Sequence, residues 1–210
     1  MYKYAKAFLD KILALIGILA LAIPLLIVAL AIRIDSPGPA VFKQERIGKD
    51  QKPIYIYKFR TMKSTNVAFD INNPVIKDGN KNVTKVGRII RKFKIDEFLQ
   101  LFNVIKGDMS LIGPRPLMRV YLDHYEEWEK QKFLIKPGMS GLSQVRGNGH
   151  LTSIERSYYD VMYQKKCSFK LDVEIMFKTI ALIFKGEEKF LKPVPPEEIQ
   201  KLREEFNTNR

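Results

Sequence analysis

Cysteine is almost missing from the 210-residue chain: Cys167 is the only one, so no internal disulfide is possible and a reducing compartment suits it. Histidine is nearly as scarce. His124 and His150 stand far apart in sequence, which argues against a histidine metal site. No Gly-Lys-Ser/Thr closure of a phosphate loop occurs, nor a G-x-G-x-x-G dinucleotide fingerprint. Repeats, low-complexity tracts and a Pro/Gly/Ser-rich linker are also missing, so one globular unit is expected. Acidic residues fall short of basic ones, 23 against 36, for a net charge of +13. Such an excess implies an anionic partner: nucleic acid, an anionic membrane surface or a phosphorylated substrate. The basic residues are scattered rather than striped, and no nucleic-acid recognition motif is present, so nucleic acid is not expected.

Charged and polar side chains are absent altogether from Ile12 to Ile32, a run interrupted only by Gly17 and Pro24. As a straight helix this run reaches ~31 Å, about the thickness of one hydrocarbon core. It is too long for the apolar part of a cleavable signal, and Arg33 follows it without a small-residue cleavage motif. Both flanks are basic, with Lys3, Lys6 and Lys11 before the run and Arg33, Lys43, Arg46 and Lys49 after it. The positive-inside rule wants one poorer side, and neither is. Pro24 removes a backbone donor near the middle and kinks the helix. A kinked helix that enters and leaves by one face would keep both flanks along anionic headgroups. From these features alone a spanning and a re-entrant helix both stay open, because proline kinks also occur in ordinary spans. The expected division is an N-terminal membrane helix over residues 1–34 and a globular unit over 35–210.

Within that unit, Asp35-Ser-Pro-Gly-Pro39 is a turn that redirects the chain. Ala40–Arg46 and Pro53–Arg60 predict a β-hairpin, with Lys58, Arg60 and Lys63 at its end as an anion site or a solvated strand end. Ser64–Asn82 reads as a loop, and Thr84–Lys94 as a basic amphipathic helix suited to a membrane surface. Ile95, Phe98, Leu99, Phe102 and Ile105 then recur at helical spacing up to Gly107, which places the adjacent acids Asp96 and Glu97 in a first helical turn. Read alone, that pair is a cap that suits the helix dipole. Two prolines stiffen the backbone around Arg115, which either aims its guanidinium at phosphate or marks a rigid turn. Helices are expected over Leu117–Phe133 and Leu171–Lys185 and after Pro195-Pro196, and Lys136–Gly149 as a Gly-rich loop running into a short strand. The fold class is α+β: mainly helical, with a small β-hairpin or sheet, an N-terminal membrane helix and membrane-interface amphipathic helices.

Six motifs occur in order: Asp35-Ser-Pro-Gly-Pro39, Gln44-Glu-Arg-Ile-Gly48, Tyr57-Lys-Phe-Arg-Thr-Met62, Asp96-Glu-Phe-Leu-Gln-Leu-Phe-Asn-Val104, Gly107-Asp-Met-Ser-Leu-Ile-Gly-Pro-Arg-Pro116 and Lys136-Pro-Gly-Met-Ser-Gly141. Together they resemble the bacterial sugar transferase family, the monotopic polyprenyl-phosphate phosphoglycosyl transferases, in its minimal catalytic core. The resemblance implies a re-entrant helix with both ends cytoplasmic, at the bacterial inner membrane. It implies transfer of a phospho-sugar from a UDP-sugar donor to polyprenyl (undecaprenyl) phosphate with Mg²⁺, through a covalent enzyme intermediate. By the same resemblance Asp96 is the nucleophile and Glu97 the magnesium partner, with Asp96 close enough to share the ion. A carboxylate attacking the β-phosphate must be ionised, which a helix N-terminus and Arg91 would favour. Lys58, Arg60, Arg91 and Arg115 are candidates for the phosphoryl charge.

Two departures stand out. Ile23 precedes Pro24 where the family commonly has serine, and Asn148-Gly149 replaces the usual Arg-Asn. Arg146 is the candidate substitute donor contact, and Asp160 matches a family acid with either a binding or a structural role. The competing classes are a catalytically inactive membrane-tethered scaffold and an anionic-ligand or nucleic-acid binder. Oligomeric state is not legible.

Overall fold

A computed structural model describes residues 2–63 and 82–208; all but the last residue of the expected Ser64–Asn82 loop lies outside them. The chain opens with one long helix, α1 (Tyr2–Asp35), unbroken across Pro24. Its apolar surface is divided unevenly. Ala14, Ile18, Leu21, Leu25, Val28 and Ile32, spaced four and three residues apart, pack on the globular unit. Phe8, Ile16, Leu19, Ile23, Ile27 and Ile34 stay exposed. An apolar surface that large has no place in water, so α1 is a lipid-facing helix that docks through a narrow stripe.

The hairpin forms as expected. β1 (Val41–Ile47) pairs antiparallel with β2 (Pro53–Phe59), Val41 opposite Phe59 and Ile47 opposite Pro53, around a turn at Lys49–Gln51. α2 (Lys85–Lys92) is capped by the Thr84 hydroxyl, which accepts from the Gly87 N–H. Asn103 of α3 (Gln100–Lys106) fastens that helix to β2, donating to the Tyr55 carbonyl and accepting from the Tyr57 N–H. A second, parallel pair joins β3 (Ser110–Ile112) to β4 (Gly138–Ser140). There the backbones of Gly113 and Gly138 approach so closely that a side-chain carbon on Gly138 would stand 2.0 Å from the Gly113 nitrogen. The rest is helical: α4 (Glu127–Lys130), α5 (Ser153–Lys166), α6 (Phe169–Lys185) and α7 (Pro196–Thr208). Among the described residues the chain is thus mainly helical with two small sheets, as the α+β reading expects.

Three expectations change. The helix expected from Ile95 is split into a 3-10 turn at Ile95–Glu97 and α3 from Gln100. The apolar spacing there serves two cores, since Ile95, Phe98 and Leu99 join a cluster with Leu25 and Ile32 while Leu101 and Val104 join one with Ala14. The helix expected over Leu117–Phe133 is broken by extended backbone at Tyr125 and Glu126 into a 3-10 stretch (Arg119–His124), α4 and a second 3-10 turn (Gln131–Leu134). Trp128 and Phe133, both after that break, are buried. The Gly-rich loop does not run into a strand after its glycines; β4 lies inside it, followed by 3-10 turns at Gln144–Arg146 and Asn148–His150.

Candidate active site

The hairpin face that carries Arg46, Ile56 and Lys58 looks onto the Ile95–Glu97 turn, as the alternation of β1 and β2 dictates. Across it stands Arg115, held between Pro114 and Pro116. Lys58 Nζ donates to Glu97 Oε1 at 2.7 Å, and Arg115 Nη2 donates to the same oxygen at 2.9 Å. Burial alone would raise the Glu97 carboxyl; Arg115 and then Lys58 overcome it and hold Glu97 far below the usual carboxylate range. Burial foremost lowers Lys58, with Glu97 opposing and Arg115 and Arg46 adding. Arg46 is pushed down to about 10, mainly by burial and then by Arg115. Its guanidinium donates to Gln44, yet its buried Nε finds no acceptor among the described residues.

Asp96 behaves in the opposite way from its neighbour. Burial first, and then the Glu97 charge, raise its carboxyl, while Lys58 and Arg91 pull it back. The expected assistance from a helix N-terminus is absent, because Asp96 lies on a 3-10 turn that follows a left-handed Lys94. The two acids therefore differ in kind. Glu97 is a fixed anion locked between cations, and Asp96 is a carboxyl whose charge is sensitive to its surroundings. Both cation contacts fall on Glu97 Oε1, so Oε2 carries no hydrogen bond among the described residues. The cavity beside them, ≈ 20 Å³ and lined by Arg46, Lys58, Glu97, Gln100, Arg115 and Met139, holds about one water.

The other predicted residues disperse. Arg60 does not face the acids. β2 ends at Phe59, and the Arg60 guanidinium turns back to the carbonyls of Pro37 (2.5 Å) and Ser36 (2.7 Å), where it caps the turn after α1. Asp160 is buried, accepts from the Ser143 hydroxyl at 2.7 Å and is raised to about 6 by burial. Arg146 points toward α6, 3.8 Å from Glu174. Asn148, the departure from the family pattern, donates to Glu187 Oε1 at 2.9 Å, and Lys94 donates to the same oxygen at 2.6 Å. That bridge ties the Gly-rich loop to the residue preceding the acid turn. Arg46 and Gln100 are site residues that sequence reasoning missed. The hairpin register, which puts Arg46 on the same face as Lys58, was the available signal for Arg46.

A lipid-facing helix built into an acid centre whose three cations, Arg46, Lys58 and Arg115, outnumber its ionised Glu97 defines a membrane-associated protein suited to phosphorylated groups. The chain belongs to the bacterial sugar transferase family, which it matches over residues 1–186. It is 38% identical over 192 residues to the UDP-N-acetylgalactosamine-undecaprenyl-phosphate N-acetylgalactosaminephosphotransferase of Aeromonas hydrophila, covering 88% of this chain and 45% of that protein. It is 36% identical over 182 residues to an uncharacterized sugar transferase, EpsL, of Bacillus subtilis, covering 87% and 88%. It is 38% identical over 183 residues to the UDP-glucose:undecaprenyl-phosphate glucose-1-phosphate transferase of Caulobacter vibrioides, covering 83% and 68%. The chain thus spans less than half of the Aeromonas relative and most of the Bacillus one.

Proposed function

We propose that the protein moves a phospho-sugar from a UDP-sugar to polyprenyl phosphate through a covalent intermediate on Asp96, releasing UMP, as a first membrane step of bacterial glycoconjugate synthesis. The observation that carries this reading is the division between the acids, with Glu97 neutralised by Lys58 and Arg115 at 2.7 and 2.9 Å beside an Asp96 that stands outside both of those ion pairs. An Asp96 carboxylate oxygen attacks the β-phosphorus of the donor, and the bond from that phosphorus to the bridging oxygen breaks. UMP leaves with the bond's electron pair, and an acyl-phosphate remains. An oxygen of polyprenyl phosphate then attacks the same phosphorus and returns Asp96 as carboxylate.

Arg115, Lys58 and Arg46 line the cavity where the phosphoryl oxygens gain charge. Arg91 is near enough to draw the Asp96 carboxyl toward ionisation. Mg²⁺ fits the residues present. Magnesium is commonly held by one or two carboxylates together with substrate phosphates, and Asp96 with Glu97 Oε2 supplies that set. When bound it would neutralise phosphate charge. No group of three or more His, Cys, Asp or Glu side chains that could hold a metal occurs among the described residues, so substrate phosphates and water would complete the coordination.

The re-entrant topology is part of the proposal. At one end of α1, Tyr2 and Lys6 bond Asp172, and Asp10 accepts from Ser110. At the other, Asp35 accepts from the Val86 N–H. Both ends of a ~50 Å helix therefore hold the same globular unit, which supports placing both on the cytoplasmic face of the inner membrane. A helix crossing to the far side would have to give up one set.

Release of UMP across a panel of UDP-sugars, with and without polyprenyl phosphate, tests the reaction; no UMP from any donor removes it. Asp96→Asn should abolish both turnover and the phospho-sugar adduct seen by intact-protein mass spectrometry, and an adduct that persists in Asp96→Asn removes the assignment of the nucleophile.

A further inference from the structure

A second cavity, ≈ 380 Å³, opens between the first turns of α1 and the β3 edge, and shares no lining residue with the acid centre. That volume lies within the range of small-molecule pockets. Val104, Met109, Ile112 and Ile135 supply apolar wall, and Ala7 faces it from α1. The polar groups deep in it are already satisfied: Asp10 accepts from Ser110, and Lys6 is paired with Asp172 at 2.5 Å.

Its rim is different. Lys11, Lys49 and Lys136 all line it, and no hydrogen bond joins Lys11 or Lys136 to a described residue. The two converge regardless: a side-chain carbon on Gly107 would stand 3.7 Å from Lys136 Nζ and 3.9 Å from Lys11 Cε. Lys49 has only a loose contact with Asp50, at 3.9 Å. Burial lowers Lys136, Lys11 and Lys49 lower it further, and Asp10 and Asp108 oppose them. Cations gathered against their mutual repulsion, over an apolar hollow, suit an anion that carries a hydrocarbon tail.

We infer that this cavity is a binding site for an anionic membrane phospholipid, its phosphate held by Lys11 and Lys136 and the start of one acyl chain in the hollow. A lipid fits better than a free phosphate because the mouth lies where α1 becomes bare hydrocarbon. Phe8, Leu9 and Ile12, neighbours of Lys11, are all exposed. An acyl chain leaving the hollow would continue directly into the bilayer. The site would clamp the N-terminal end of α1 and set the depth of the domain. It stands apart from the transfer reaction, since neither Asp96 nor Glu97 reaches it.

The test uses the full chain in neutral detergent, followed by thermal unfolding against dihexanoyl phosphatidic acid. Wild type should show a saturable rise in Tm of roughly 5 °C or more, with none from inorganic phosphate. Lys11→Gln/Lys136→Gln should lose the rise, Lys11→Arg/Lys136→Arg should keep it, and Ala7→Trp, which plugs the hollow, should lose it with both lysines in place. An undiminished rise in the double glutamine variant or in Ala7→Trp overturns the site, and an equal rise from inorganic phosphate overturns its assignment to lipid. Because the readout is unfolding without donor, its failure is distinct from a failure of the UMP assay.

Discussion

Replacing Glu97 by glutamine keeps the shape of the side chain but removes a charge that two cations share. A charge-assisted hydrogen bond contributes roughly 1.5–3 kcal/mol. The Lys58 and Glu97 side chains are each 17% exposed, so that pair counts near the upper end. Arg115 is 38% exposed, and solvent screening reduces its share to about 1 kcal/mol. Losing both leaves Lys58, Arg115 and Arg46 facing one another, for a total near ~4 kcal/mol, or a fall in Tm of about 8–16 °C for a chain of this size. The pH dependence has a definite sign. The folded Glu97 carboxyl is held below its unfolded value of ~4.3, so its stabilisation is present above that pH. It fades as pH falls through the folded value, and wild type and Glu97→Gln should converge on acidification. Circular dichroism melts at a fixed scan rate, on wild type, Glu97→Gln, Lys58→Met and the double variant, measure both the loss and the coupling. A Tm for Glu97→Gln within about 2 °C of wild type at neutral pH, or single effects that simply add, would refute the reasoning.

Arg60→Ala should cost roughly 2 kcal/mol by freeing the Ser36 and Pro37 carbonyls while leaving the donor KM unchanged in the UMP assay; a raised KM with an unchanged Tm would put Arg60 back in the site. Gly138→Ala should prevent a stable fold, because the new carbon meets backbone at 2.0 Å, whereas Gly149→Ala, with nothing within 4 Å, should melt like wild type; equal melts would disprove the β3–β4 contact. Asp160→Asn should leave the Tm at neutral pH unchanged or higher, because burial makes the ionised carboxyl costly in the fold and an amide oxygen can still accept from Ser143; a fall of several degrees would refute that.

Much of the site was legible because each motif pairs a residue type with a local geometry. Lys58 sits in an alternating strand, Arg115 between two prolines, and the acids before an apolar run. Arg60 misled because alternation carries a side chain to the same face only while the strand continues, and β2 ends one residue earlier. The Ile95–Gly107 pattern fits one helix in sequence, yet its residues answer to two clusters, a division that local spacing does not encode. From Ile12 to Ile32 every position of α1 is apolar, so the docking stripe has no contrast against which to appear. The β3–β4 pair is three residues long and too short for any period to show. One signal was simply present and unused: Thr152-Ser-Ile-Glu155 is a capping box that begins α5, and its reciprocal hydrogen bonds form.

The acid turn is walled by the helix that meets the lipid. Leu25 and Ile32 pack with Ile95, Phe98 and Leu99 on one side of it, and Ala14 and Ile18 with Leu101 and Val104 on the other. Anchor and scaffold are therefore one piece. A truncated, water-soluble version cut after Asp35 would lose more than its address, because the two clusters that flank Asp96 and Glu97 would lie open. The docking of α1 therefore completes the walls of the acid turn.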